Sequence, residues 1–442
     1  MATHVTIIGG GYTGLSAAYE MARAGIRVTI LEQEDYLGGL AGSFGVGGTQ
    51  LEKFYHHWFT NDVHITGFID ELGLADNIVW RPSRTGMYFA NNFYKLSTPL
   101  DLIRFKPISL VNRLRLGLTS LKMRRFTDWR SLEDKTAGDW LRELCGEHTF
   151  QVVWEPLLRG KFGEYWEQVS AVWIWNKIKL RGGSRSKDGA EMLGYYRGGF
   201  GSFCDELVDR LRKLDVTLMT STSVQQLLSD GTKITGVQTP DEMYESDAVL
   251  ATTAPPILAE ILGMSDLSPD SCRPDFVMKL GETTYLANIC LVLELDRSLS
   301  ETYWLNVNDP SFPFVAIVEH TNFESIEGYD GRHLVYLSKY LPVTDPLYAM
   351  NKKEIFEFSL PHIQRMFPKF SESWIQEYHV WRARYAQPIV GTSYSKTILP
   401  FEAPIPGLYL SNMTQIYPED RGTNYAVREG RKAGQKIAAL LN

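Results

Sequence analysis

Hydrophobic positions open the chain with an apolar and β-branched run over 5–8, pass through Gly9, Gly10 and Gly11, and resume at helical spacing over 15–24. A second β-branched run over 26–31 follows, so the chain begins strand, tight turn, helix, strand. Beyond it, 35–44 (DYLGGLAGSF) crowds glycines too closely for a helix or strand and predicts a loop with special backbone angles. Further on, 87–96 reads as two short strands around an Asn91-Asn92 turn, and 99–180 turns helical. Strand-like alternation covers 285–340, with 291–293 and 335–337 as core pieces, and 353–366 reads as a helix that Pro361 kinks or interrupts. Between these lie a glycine turn, helix and strand over 195–218, then a hairpin-like pair at 232–238 and 246–253. A strand over 407–411 and a helix opening at Arg421 close the chain.

The first turn carries chemistry as well as geometry. Gly9-x-Gly11-x-x-Gly14, with Tyr12 and Thr13 between the last two glycines, is the dinucleotide fingerprint. Gly9 allows the tight turn, Gly11 lets backbone amides approach a pyrophosphate, and Gly14 lets the helix pack closely on the strand. The partial positive charge of the helix N-terminus then faces the phosphates. Glu32, 18 residues after Gly14, ends the second strand and is placed to accept hydrogen bonds from an adenosine ribose.

At 442 residues the chain exceeds one ordinary core and implies about two or three domains. With 44% hydrophobic and 22% charged residues it reads as soluble and globular, and its net charge of -7 argues against a nucleic-acid binder. Cys145, Cys204, Cys272 and Cys290 are scattered without metal-ligand or disulfide spacing and read as reduced thiols of a cytoplasmic protein. No signal peptide, membrane-spanning run, internal repeat, metal-cluster motif, GxSxG or HExxH is found, leaving hydrolase and metalloenzyme routes unsupported.

The paired glycines Gly38-Gly39 after the ribose acid resemble FAD enzymes of the glutathione-reductase structural type. The likeness is closest to the group joining amine oxidases, protoporphyrinogen oxidases, phytoene desaturases and UDP-galactopyranose mutases. Residues 195–224 and the Arg421-Gly422-Thr423-Asn424 helix start extend the resemblance to the middle and the end. It implies an α/β fold: a Rossmann-like FAD-binding domain (1–60, 190–255 and 400–442) with a discontinuous α+β substrate domain (61–189 and 256–399). It also implies FAD contacts from Gly39 and Val224, and helix amides at 421–424 directed at the flavin's pyrimidine edge. The chain departs from the group at two points. Leu40 stands where an Arg or Asn is usual, and Ser411-Asn412-Met413 replaces Ala-Gly-Asp, leaving Asn412, Asp420 or no residue to serve the ribityl-phosphate region.

Four clusters are candidates for further chemistry. Residues 52–62 (EKFYHHWFTND) set two imidazoles among aromatic faces, and resemble the mutase stretch KYGAHIFHTND, in which His57 matches the histidine lying against the flavin. The alternative is a packed strand with histidines bonded to backbone. Residues 378–388 (YHVWRARYAQP) resemble the strand that approaches the flavin in protoporphyrinogen oxidases; Trp381, Arg382, Arg384 and Tyr385 alternate between two faces, of which one can look into a site. Eight basic residues against two acidic over 101–130 give a local +6, with Val111, Leu114, Leu118 and Leu121 forming one stripe. The commoner meaning is a solvated face over a core stripe; contact with anionic membrane or polyprenyl-type lipid, or with a phosphorylated substrate, are the alternatives. The Trp-rich stretch from 154 to 175 reads as core or as a tunnel lining, with Arg159 and Lys161 nearby.

Together these imply an FAD-dependent oxidoreductase taking a hydride equivalent from a small organic substrate, with lipid-linked or phosphorylated compounds among the candidates, and with His57, Arg382 and Tyr385 as catalytic candidates. A non-redox flavin isomerase of the UDP-galactopyranose mutase kind is the alternative. The expected location is cytoplasmic, or peripheral at a membrane through 101–130.

Overall fold

The computed structural model describes residues 3–95, 98–187, 190–265 and 274–441, so Leu96 and Cys272 lie outside the described residues. Its first sheet has five parallel strands in the order Thr217–Met219, Arg27–Leu31, His4–Ile8, Ala248–Ala251, Leu408–Leu410. Apolar runs rather than alternating patterns build these strands because helices cover both faces. Val5, Ile7, Ile30 and Leu250 are fully buried, against the helices Tyr12–Arg23, Phe200–Lys213 and Thr423–Leu441. The C-terminal ends of the strands thus gather the Gly9 turn, Glu32 and the start of the last helix at one edge, where parallel sheets bind ligands.

A second, mixed sheet of seven strands runs Ile375–Pro388, Tyr285–Leu295, His333–Leu341, Ala316–Glu319, Trp304–Val307, Thr85–Phe89, Asn92–Lys95. One face of it carries the helical lobe, whose core includes Phe150, Phe162, Trp166, Trp173 and Trp175. The turn between Thr85–Phe89 and Asn92–Lys95 falls on Ala90 and Asn91, both at positive φ, one residue earlier than the Asn91-Asn92 expected. Strand Ile234–Gln238 pairs with Gln226–Ser229 and Met243–Glu245, while Ala248–Ala251 joins the parallel sheet; the expected hairpin of 232–238 with 246–253 is therefore corrected. Helix Lys352–Met366 runs through Pro361 without interruption, held by a capping box between Asn351 and Glu354 and by the burial of Ile355, Leu360, Ile363 and Met366. Packing here outweighs the hydrogen bond that proline removes.

The stripe of the helix Leu110–Arg125 also departs from the expected core role. Val111, Leu114, Leu118 and Leu121 are 73, 56, 68 and 57% exposed, and the helix packs inward through Leu116 and Met123 on its other side. Thr98 and Ser109 cap this helix and its neighbour Pro99–Arg104, so both are locally specified. Among the described residues no helix is long and apolar enough to cross a membrane.

Candidate active site

The site starts at the glycine turn. Gly9 holds φ +108°, and a Cβ on Gly14 would stand 2.2 Å from the Gly9 carbonyl oxygen, so both positions demand glycine. At Gly11 the same addition meets only the Gly39 Cα, at 3.8 Å, so the helix start is open on that side. Gly11 bridges to Gly38, bringing the second glycine loop against the first. Glu32 accepts Gly10 N–H at 2.7 Å and Glu34 N–H at 2.9 Å, with burial raising its pKa. Those backbone bonds fix the carboxylate beside the turn. Open first-turn amides of Tyr12 and Thr13, a glycine cradle and an oriented acid fit the adenosine-diphosphate half of FAD. Val224 is buried in the small core under the loop that follows Thr217–Met219.

A cavity of about 750 Å³ begins where the last helix starts and reaches the helical lobe. Leu40, Tyr55, His56, His57 and the segment 420–425 line one end. Segment 53–57 owes its course to Glu52: its buried carboxylate accepts Tyr195 O–H at 2.8 Å and Phe200 N–H at 2.6 Å, while Tyr336 O–H donates to its carbonyl at 2.7 Å. Burial pushes the Glu52 carboxyl up to about 7, against the pull of those donors. His57 opens to the cavity, with Nδ1 3.0 Å from the Tyr303 hydroxyl and its ring edge-on to Phe59 and Trp304. Desolvation, with Arg181, His56 and Lys177 adding to it, pushes its pKa down to about 3, so the imidazole is neutral at physiological pH. His56 bonds the Phe54 carbonyl at 2.6 Å and is likewise depressed, to about 4.

Cations gather on the cavity wall. Lys177 and Arg181, one turn apart on the helix Ala171–Gly183, stand with Lys161 and Arg421 on this wall, where Asp420 and Asp62 are the acidic side chains and Glu191 lies 3.9 Å from Arg181. Lys177 Nζ lies 2.6 Å from Asp420, and Arg421 bonds the Tyr340 hydroxyl at 2.8 Å and Gln387 at 3.2 Å. Burial would raise Asp420, but Lys177, Lys161 and Arg421 hold it well below the usual carboxylate range. Lys161 sits 4.7 Å over the Tyr340 ring, and desolvation lowers its pKa. Asn288 Oδ1 and Trp173 Nε1, also on this wall, are buried without a hydrogen-bond partner among the described residues. Unpaired buried polar atoms are costly, and these two offer an acceptor and a donor to a bound molecule.

Of the residues singled out in the sequence, Arg421, Gly422, Thr423 and Asn424 do meet His57 at this cavity. Two of their three side chains are engaged elsewhere: Thr423 Oγ1 accepts Trp58 Nε1–H at 3.0 Å, and Asn424 Oδ1 accepts His64 and Ile65 N–H at 2.9 and 3.0 Å. Asn424 therefore caps a neighbouring helix, Val63–Glu71. Arg382 and Tyr385 need correction, because neither lines the cavity. Arg382 is exposed and donates to the Tyr348 and Met350 carbonyls, and Tyr385 packs edge-on against Tyr285. A register shift opposite Leu286–Asn288 breaks the strand's alternation, so Ala383 and Ala386 face the cavity instead. Asn412 is spent on Thr414 in its own turn, whereas Asp420 lies in the cavity wall. Arg159 pairs outward with Glu155, unlike Lys161. Sequence reading missed Lys177, Arg181, Asn288 and Tyr340; the four-residue spacing of the first two was the available signal. One acidic cluster, Glu294, Glu377 and His379, lies away from this cavity, with Glu294 bonded by His379 and Arg332.

Comparison with known proteins agrees with this geometry. Residues 12–438 match the family described as flavin containing amine oxidoreductase. Coproporphyrinogen III oxidase of Propionibacterium freudenreichii is 22% identical over 367 residues, covering 69% of this chain and 67% of that protein. Mitochondrial protoporphyrinogen oxidase of Nicotiana tabacum is 26% identical over 167 residues, covering 37% and 33%. In fold, reduced UDP-galactopyranose mutase matches with a TM-score of 0.78 at 14% identity, covering 100% of this chain and 96% of that one. Cyclohexylamine oxidase from Brevibacterium oxydans matches with a TM-score of 0.73 at 14% identity and full coverage of both chains. The glycine cradle, the oriented acid and the helix start at the cavity fit FAD, and the chain is an FAD-dependent oxidoreductase that belongs to the flavin containing amine oxidoreductase family.

Proposed function

We propose that the enzyme removes a hydride equivalent from a small organic substrate held between His57, Tyr340 and the helical lobe. When bound, FAD supplies the electron acceptor. Gly9, Gly11, Tyr12, Thr13, Gly14, Glu32, Gly39 and Val224 hold its adenosine half, and the backbone at Arg421 to Asn424 meets its pyrimidine edge. In this division 1–60, 190–255 and 400–442 serve the cofactor, while 61–189 and 256–399 serve the substrate. The chain's own contribution is positional: the aromatic wall excludes water, Asn288 and Trp173 orient polar groups, and neutral His57 accepts or relays a proton. Lys177, Arg181 and Lys161 favour an anionic substrate, carboxylated or phosphorylated. We place the enzyme in the cytoplasm, in contact with a membrane through 101–130.

One observation carries this reading: the helix start at 421–425 and His57 share a single cavity wall with a surplus of cations. Anaerobic titration of the yellow protein with carboxylated and phosphorylated candidates tests it. Bleaching of the flavin bands is expected, and binding without bleaching by every ligand that occupies the cavity would refute hydride removal. The mutase reading keeps a place because His57 lies on the wall and the mutase fold matches along the whole chain. Turnover that requires prior dithionite reduction yet consumes no electrons would favour it.

A further inference from the structure

Resting on the reading of an anionic substrate and membrane contact, we infer that the helix Leu110–Arg125 is a two-sided wall. Its outer face docks on an anionic bilayer, and its inner face admits a membrane-resident amphiphile sideways into the cavity. Three observations carry this.

First, the outer face carries an apolar stripe left exposed among the described residues. Besides the stripe at Val111, Leu114 and Leu118, the neighbouring helix Pro99–Arg104 exposes Leu100 and Ile103 at 51 and 49%. Isolated exposed leucines need no explanation, but a contiguous set marks a contact surface. Second, exposed Arg104, Lys106, Arg115, Lys122 and Arg125 accompany that stripe, in a protein whose net charge is -7. Isologous pairing of two copies would set +6 against +6, and a head-to-tail pairing that did not close would polymerise. Anionic lipid headgroups match the charge and the acyl boundary matches the stripe. Third, the inner side of the same helices belongs to the cavity, through Leu102, Leu116, Gly117, Ser120 and Leu121. Leu121 is both 57% exposed and part of the cavity wall, so the cavity reaches the surface at the docking face. From there Leu157 and Ile178 continue an apolar path to Lys177 and Arg181. An apolar tail would fill the path while its anionic head meets those two cations beside their partners Asp420 and Glu191.

Flotation of the FAD-loaded protein with phosphatidylcholine vesicles, with and without phosphatidylglycerol, tests the docking face. Wild type is expected to float only with phosphatidylglycerol and to be released by high salt, since screening shortens to about 3 Å at 1 M. The triple variant Val111→Gln, Leu114→Gln, Leu118→Gln should lose at least about tenfold in bound fraction while keeping its flavin spectrum and melting temperature. Equal flotation of the variant, no flotation of wild type, or a wild-type dimer that the variant dissociates would each overturn the proposal. For the route, dodecyl phosphate should perturb the flavin spectrum at concentrations at least about tenfold lower than methyl phosphate does. Gly117→Trp, whose bulk is directed at Leu102, should erase that difference. Equal potency of the two phosphates in wild type, or no effect of the tryptophan, would overturn the route. Neither arm depends on turnover, so failure of hydride removal leaves a separate signature.

Discussion

His57 Nδ1 stands 3.0 Å from the hydroxyl oxygen of Tyr303, a phenol whose ionisation burial suppresses. Whichever of the two donates, Tyr303 fixes one nitrogen of an imidazole that lines the cavity. Because its pKa is depressed to about 3, it arrives neutral, as an acceptor or relay rather than a standing acid.

His57→Asn should therefore keep FAD occupancy and melting temperature near wild type while flavin reduction by substrate slows by about 10²- to 10⁴-fold. The pH profile sharpens the test. Any limb that wild-type reduction shows near 6.5 should persist in the variant, since this imidazole does not titrate there. Loss of stability in proportion to activity would make the residue a packing element.

Gly11→Val should abolish FAD loading. A Cβ here meets no protein atom closer than 3.8 Å, and the branched group beyond it would occupy the space beside the open helix start. Apoprotein that folds but stays colourless after incubation with FAD is the expected result. Wild-type occupancy would move the phosphates elsewhere.

Arg382→Ala should leave flavin reduction within about twofold of wild type, because its guanidinium serves the Tyr348 and Met350 carbonyls outside the cavity. Asn424→Ala should act oppositely, on stability. It deprives His64 and Ile65 of a shared acceptor and costs about 1–2 kcal/mol by urea unfolding of the FAD-loaded protein. A large kinetic defect in the arginine variant would return that side chain to the site.

How much of this was legible in the sequence follows from the range over which each feature is encoded. Gly9, Gly11, Gly14 and Glu32 lie within one strand-turn-helix-strand unit, so local spacing alone specified their geometry. The alternation of 378–388 is equally local and puts Ala383 inward and Arg382 outward, yet the register shift opposite Leu286–Asn288 depends on the neighbouring strand and turned Ala386 inward in place of Tyr385. The stripe at Val111, Leu114 and Leu118 was visible as periodicity, but periodicity does not say which side meets the core; Leu116 and Met123 do that in the folded chain. Lys177 and Arg181 acquired meaning only when the fold set them beside Asp420 and His57, residues remote in sequence.

His320 provides a stability test separate from the cavity. Its Nε2 lies 2.9 Å from the Tyr329 hydroxyl, the side chain is buried, and desolvation, with Arg81 adding to it, lowers its pKa from 6.5 to about 3. The folded protein thus keeps this base neutral where the unfolded chain binds a proton. Its contribution is fully present above 6.5 and is lost as pH falls toward about 3, at about 1.4 kcal/mol per pH unit. His56 and His57 add slope of the same sign. Glu52 opposes them, because a carboxyl raised to about 7 lets the folded state hold a proton that the unfolded chain releases above 4.5. His320→Gln keeps a polar partner for Tyr329 and removes one titrating group. Urea unfolding of the FAD-loaded protein at pH 6.5 and at about pH 5 should show the variant losing roughly 2 kcal/mol less than wild type over that interval, whatever its absolute stability. An unchanged difference would mean that His320 takes up its proton in the folded state, and that Arg81 and the surrounding aromatic rings do not exclude the charge.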